Sequence, residues 1–109
     1  MKANVLEEPG RIALRTIAEP VPREGEVVVR VSHSGICGTD VKIFDGSIPG
    51  RYPLVMGHEI VGEVVGGSTG NGLNRGTRVL LNPTLYCGRC VYCARDQTYL
   101  CLAGAMIGR

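Results

Sequence analysis

The sequence predicts a mainly β domain, and three observations carry that prediction. Glycine is abundant, at 16 of 109 residues. Short apolar runs with alternating polarity recur along the chain, separated by glycine and proline turns. Aromatic residues are scarce, at 5%, so the core must be built from aliphatic strands. A chain of 109 residues is one domain by length. Its 44% hydrophobic and 20% charged fractions are those of an ordinary folded protein.

The elements follow in order. MKANVLEE reads as a first strand, and GRIALRTIAEP, with Ile12, Leu14 and Ile17, as a second. Pro22 to Glu26 is a turn. EVVVRVSHSG is the clearest strand, with Val27, Val29 and Val31 on one face and Val28 and Arg30 on the other. Thr39 and Asp40 are placed to cap a short helix over Val41 to Phe44, with Gly46 ending it. Pro49, Gly50 and Pro53 force an irregular loop. HEIVGEVVGG is a further strand, GSTGNGLNRG a glycine-rich turn region, and TRVLLNP a last strand closed by Pro83. Several short strands with glycine turns suggest an antiparallel barrel. The segment after Pro83 has no clear period.

Composition excludes several functions. The formal net charge of +2 is too small to predict a nucleic-acid or membrane-surface partner. No run of eighteen apolar residues is present, and the N-terminus has no signal-peptide core. A cytoplasmic location is therefore expected, where clustered thiols more often bind metal than pair as disulfides. The glycine-rich stretch contains neither G-x-G-x-x-G nor G-x-x-x-x-G-K-[ST], so no cofactor-binding residue for a nucleotide is predicted.

Cys87, Cys90, Cys93 and Cys101 have the spacing C-x2-C-x2-C-x7-C. That spacing suits a closed, four-thiolate structural zinc site, with Gly88 allowing a tight turn between the first two ligands. A [4Fe–4S] run of the ferredoxin type matches only over its first half; the last gap is seven residues, and Leu102 stands where proline is required. Disulfides between Cys87, Cys90 and Cys93 would be strained. From Arg75 to Arg109 there are five arginines and one acid, Asp96, a net +4 that would offset the negative charge of such a centre. Scattered surface arginines would give the same count. Cys37 is the fifth cysteine. It is either a small buried hydrophobe or a ligand. With Thr39, Asp40, His58 and Glu59 elsewhere in the chain, the residue types of an open catalytic zinc site are present. His33 is read as a strand residue with no assigned role.

GICGTDVKIFDG, PLVMGHEIVGEVV, GTRV and CGRCVYCARDQTYLC occur in this order. Together they resemble the N-terminal catalytic domain of the zinc-dependent medium-chain alcohol dehydrogenases, with a lean toward the polyol and threonine dehydrogenase branch. The resemblance runs from about Val5 to Cys101. It implies a GroES-like, partly open β-barrel with short helical turns and a cysteine-rich structural-zinc lobe over 84–102. It implies that Cys37, His58 and the adjacent Glu59 serve the catalytic zinc, that Asp40 orients the zinc histidine, and that Thr39 takes the proton of the bound alcohol. Cys87, Cys90, Cys93 and Cys101 match the structural zinc ligands.

The pattern also departs from the family. Lys42 replaces a histidine that continues the proton relay in many relatives, and Thr77 replaces the usual aspartate of a glycine-aspartate-arginine-valine turn. The family's Rossmann domain and its last catalytic zinc ligand lie beyond the point matching Arg109. Residues 1–109 are thus expected to be an incomplete GroES-like domain: zinc-binding, with the catalytic site short of one ligand, and inactive alone. An alcohol substrate and NAD(P) belong to a full-length parent, and exposed barrel edges suggest a homo-oligomer. The alternative is a non-enzymatic zinc-binding barrel, an interaction module or degenerate gene product.

Overall fold

The computed structural model describes residues 1–70 and 72–109; Asn71, within the predicted glycine-rich turn, lies outside the described residues. Among the described residues there are seven strands and one helix: β1 (Lys2–Glu8), β2 (Arg11–Thr16), β3 (Val27–Ser34), α1 (Gly38–Phe44), β4 (Ile60–Gly67), β5 (Arg78–Leu80), β6 (Thr84–Leu85) and β7 (Ala105–Met106). Two 3-10 turns, Cys93–Arg95 and Thr98–Leu100, lie between β6 and β7. The strands form three antiparallel groups, β1-β2, β3-β4-β5 and β6-β7, and do not close into a barrel. The mainly β, partly open architecture is the one the sequence predicts. Its radius of gyration of 15.3 Å exceeds the roughly 13 Å of a compact chain this long, as open sheets require.

The β1-β2 hairpin pairs Lys2 with Thr16 through to Glu8 with Arg11, with an irregularity between Leu6 and Glu8. It is tied to the rest of the molecule by backbone bonds. Leu6 and Leu54 exchange N–H···O bonds of 2.8 and 2.9 Å, and the Gly10 N–H donates to Phe44 O at 2.7 Å. The hairpin therefore grips both the end of α1 and the loop leading to His58. Among the described residues, the largest fully buried side chains are Leu6 of β1, Ile43 of α1 and Val64 of β4, joined in the core by Ala3, Val5 and Cys93.

β3 and β4 pair with two register shifts, one between Val28 and Val29 and one between Val31 and His33. Gly62 is required at the second. A Cβ there would lie 2.5 Å from both Arg30 O and Val29 Cγ1, so only glycine lets the strands approach. Such shifts sharpen the local twist and bend the sheet. They turn the start of β4, and hence His58 and Glu59, toward α1.

Two local expectations are corrected. The predicted caps, Thr39 and Asp40, lie inside α1; Cys37 is the N-cap, and Asp40 is the N3 member of a capping box. The last predicted strand stops at Leu80, and the segment read as aperiodic contains the β6-β7 pair, Thr84 with Met106 and Leu85 with Ala105. A two-residue strand has no period to detect. No helix among the described residues is long and apolar enough to cross a membrane.

Ile43 of α1 is 0% exposed. Truncating a fully buried isoleucine costs about 2–5 kcal/mol, a large part of a domain's usual 5–15 kcal/mol. Ile43→Ala is expected to lower the urea-unfolding free energy by that amount. A loss below about 1 kcal/mol would contradict the assignment of Ile43 to the core.

Candidate metal centres

Two donor clusters form, and each contains residues the sequence singled out. In the first, the Sγ atoms of Cys87, Cys90, Cys93 and Cys101 all lie within 4.8 Å of one another. Cys87 follows β6. Gly88, at φ +71, turns the chain back toward Cys90. Cys93 opens a 3-10 turn, Asp96 adopts a left-handed conformation at φ 57, and the second 3-10 turn delivers Cys101. The β6-β7 pair closes the base of this loop. The Cys90 and Cys93 sulfurs are 3.5 Å apart, and the Cys87 N–H donates to Cys101 Sγ at 3.3 Å.

Backbone donors aim at these sulfurs. The N–H of Cys93, then that of Leu102, lowers the Cys90 thiol to about 6. Those of Arg89 and Cys90 lower Cys87. Burial, reinforced by neighbouring thiols, raises Cys93 to about 11. The loop thus favours thiolate at some positions, but cannot hold four without a countercharge. Tetrahedral zinc with Zn–S near 2.3 Å sets sulfur–sulfur edges of about 3.8 Å, and this cluster matches that size. Among the described residues all five cysteines are free thiols, which removes disulfide pairing as an account of their clustering.

The second cluster joins Cys37, His58 and Glu59, whose ligand atoms also lie within 4.8 Å of one another. Cys37 Sγ is fixed by its capping role: it accepts the Thr39 N–H at 3.2 Å. His58 Nε2 is 3.2 Å from that sulfur. Asp40 stands behind both. Its Oδ2 accepts the Cys37 N–H at 2.8 Å, and its Oδ1 lies 3.4 Å from His58 Nδ1. Asp40 and His58 are 6% and 8% exposed, and among the described residues Asp40 Oδ1 and His58 Nδ1 have no hydrogen-bond partner and face only each other. The histidine proton therefore belongs on Nδ1, facing the carboxylate, and the Nε2 lone pair faces the sulfur and the cavity. This is the orientation that metal-binding histidines adopt.

The Thr39 hydroxyl, then the Thr39 N–H and His58, lower the Cys37 thiol. Thr39 thus lies against the donor set. Glu59 reaches it over Gly35, where a Cβ would meet the Glu59 carboxyl oxygen at 2.2 Å and its Cβ at 3.0 Å. The need for a glycine at 35 and the capping function of Cys37 were not visible in the sequence; both arise from contacts between segments. His33 lies on β3, with Nδ1 3.2 Å from Ser32 Oγ, and is not in either cluster. Lys42 is exposed on α1. At Thr77 the backbone does the turn's work, since its carbonyl accepts the Val64 N–H at 2.9 Å.

The chain is thus a mainly β domain with one closed four-thiolate set and one open cysteine–histidine–carboxylate set. The chain matches the alcohol dehydrogenase GroES-like domain family over residues 23–109, and it belongs to that family. Among relatives, it is 42% identical over 115 residues to L-threonine 3-dehydrogenase of Streptomyces coelicolor, covering 99% of this chain and 33% of that protein. It superposes on the alcohol dehydrogenase of Thermus sp. ATN1 with a TM-score of 0.86 at 36% identity, covering 99% of this chain and 32% of that one. The TM-score is 0.90 at 35% identity for the Escherichia coli CFT073 short chain alcohol dehydrogenase complexed with NADH, with the same coverage, 99% and 32%. The chain thus spans about a third of the length of these proteins.

The lowered Cys90 thiol has a measurable consequence in chelator-treated protein. Cys90 is thiolate above about pH 6, so its alkylation rate should rise through that pH and level off. Cys93, raised to about 11, should stay slow throughout. Residue-resolved mass spectrometry reads both rates. Equal rates, or a Cys90 midpoint above pH 8, would contradict this electrostatic picture.

Proposed function

We propose that residues 1–109 are the N-terminal catalytic-domain part of a zinc-dependent, NAD(P)-linked alcohol dehydrogenase. The observation that carries this reading is the convergence of Cys37 Sγ, His58 Nε2 and the Glu59 carboxyl within 4.8 Å, with Asp40 held behind the histidine. Cys37 and His58 would hold a catalytic zinc, with Glu59 beside it. Cys87, Cys90, Cys93 and Cys101 would hold a structural one. The donor types and spacings fit zinc in both places.

Zinc bound in the open set supplies Lewis acidity toward an alcohol oxygen. The rest of the chemistry falls to the chain. Asp40 keeps the His58 proton on Nδ1 and so keeps Nε2 available as a donor. Thr39, beside Cys37, is placed to accept the alcohol's proton. Because Lys42 stands where many relatives have a histidine, the proton leaves Thr39 by another route, and solvent at the half-exposed hydroxyl supplies one. Hydride transfer needs a nicotinamide ring, and this chain has no dinucleotide-binding motif. In a longer parent, further residues would hold NAD(P) and complete the alcohol pocket. Exposed apolar side chains on strands, such as Leu14 at 63% and Leu80 at 76%, support self-association of the chain.

A non-enzymatic zinc-binding module is favoured by one observation, that the four-cysteine lobe is complete without the second cluster. Steady-state kinetics separate the readings. The 109 residues alone should show no NAD(P)-dependent alcohol oxidation. The parent chain should show it, and Thr39→Val in that chain should lower kcat by about 10²–10⁴-fold, the range for a lost acid–base group. Unchanged turnover in Thr39→Val would remove Thr39 from the mechanism. A parent chain with no turnover on any alcohol would favour the module.

A further inference from the structure

We infer that Gly108 is a positioning residue: its backbone lies directly on Gly57, and through that contact the four-cysteine lobe sets the placement of His58. The contact is unusually close. A Cβ on Gly108 would sit 1.9 Å from Gly57 O, 2.6 Å from Gly57 C and 2.8 Å from Gly57 N. All three atoms are backbone, so no side chain can rotate away. The C and O atoms belong to the peptide bond that joins Gly57 to His58. Any displacement there moves the His58 backbone.

His58 has little slack to absorb it. The ring is buried, with Nδ1 3.4 Å from Asp40 and Nε2 3.2 Å from Cys37 Sγ. Gly57 itself is at φ +119, a conformation essentially confined to glycine, so the bend before the histidine is also fixed by residue type. On its other side Gly108 is tied to the lobe. The Ile107 N–H donates to Pro83 O at 3.0 Å, and the Gly104 N–H donates to Cys101 O at 3.0 Å. Between them β7 pairs with β6. β6 leads into Cys87 and β7 follows Cys101, so both ends of the cysteine loop converge on the strand pair that carries Gly108. Order in the loop is thereby passed through β6-β7 and the Gly108–Gly57 crossing to the histidine. Gly108 also has φ +78, but so does Gly10, where nothing lies within 4 Å of a Cβ. The two glycines share the same positive φ and differ in the close approach, which makes Gly10 a matched control.

The metal-affinity arm of the test rests on His58 being a ligand, as proposed above; the zinc-free arm does not. In the full chain, imidazole 15N–1H spectra of His58 are recorded for wild type, Gly108→Ala and Gly10→Ala without metal, followed by titration with Co2+. Gly108→Ala should shift the His58 ring resonances and weaken cobalt at the Cys37–His58–Glu59 set by about 10–100-fold, the usual effect of losing a group that orients a metal ligand. Gly10→Ala should do neither. A folded Gly108→Ala protein with wild-type ring resonances and cobalt affinity would overturn the inference, as would equal shifts in Gly10→Ala. If Gly108→Ala does not fold, Cys37→Ser protein is given one equivalent of zinc, which goes to the lobe. The Gly57 and His58 amide resonances should move with those of the lobe; amides that stay put while the lobe responds would overturn the inference. Cobalt that leaves the wild-type His58 ring unmoved would count against the ligand reading, and the zinc-free ring comparison would still decide the positioning claim.

Discussion

The rest of the structure depends on one buried carboxylate. Asp40 is 6% exposed, and a buried carboxylate is unfavourable unless its oxygens are used. Oδ2 accepts the Cys37 N–H and starts helix α1; Oδ1 makes no hydrogen bond and lies 3.4 Å from His58 Nδ1. One residue therefore fixes the cysteine and the histidine relative to each other across twenty-one positions of sequence. The same geometry aims the Thr39 hydroxyl and N–H donors of α1 at the cysteine sulfur, which lowers the Cys37 thiol.

Everything that holds Asp40 is scaffold. Ile43, one turn on, is fully buried, and the hairpin is bonded to the end of α1 and to Leu54 before the histidine. The bent β3-β4 pair brings Glu59 over Gly35. The cysteine lobe has almost no core of its own, since only Cys93 in it is buried. A metal held by the four thiolates would supply the cohesion that packing does not.

Much of this was legible in the sequence, for identifiable reasons. The four-cysteine spacing is a local signal, and the sulfurs do gather. The alternation in Val27 to Val31 and the turn glycines marked β3 and its neighbours. Cys37, His58 and Glu59 were legible as residue types, and the family motifs supplied their grouping. What the sequence hid depends on contact between distant segments. Cys37 caps α1 because Asp40 reaches back to it, which displaced the predicted cap by two residues. β6 and β7 are two residues each and exist only because the ends of the cysteine loop meet. Gly35, Gly62 and Gly108 look like any other glycine until a neighbour is placed where their Cβ would be.

The central claim is that one chain builds two chemically different zinc sites, one all-sulfur and one mixed. X-ray absorption at the zinc edge tests it most directly, on protein loaded with one and then two equivalents. The account predicts four sulfur scatterers near 2.3 Å at one equivalent, and added nitrogen and oxygen scatterers with a lower average sulfur count at two. Nitrogen or oxygen in the first shell at one equivalent, or a shell that stays all-sulfur at two, would contradict it.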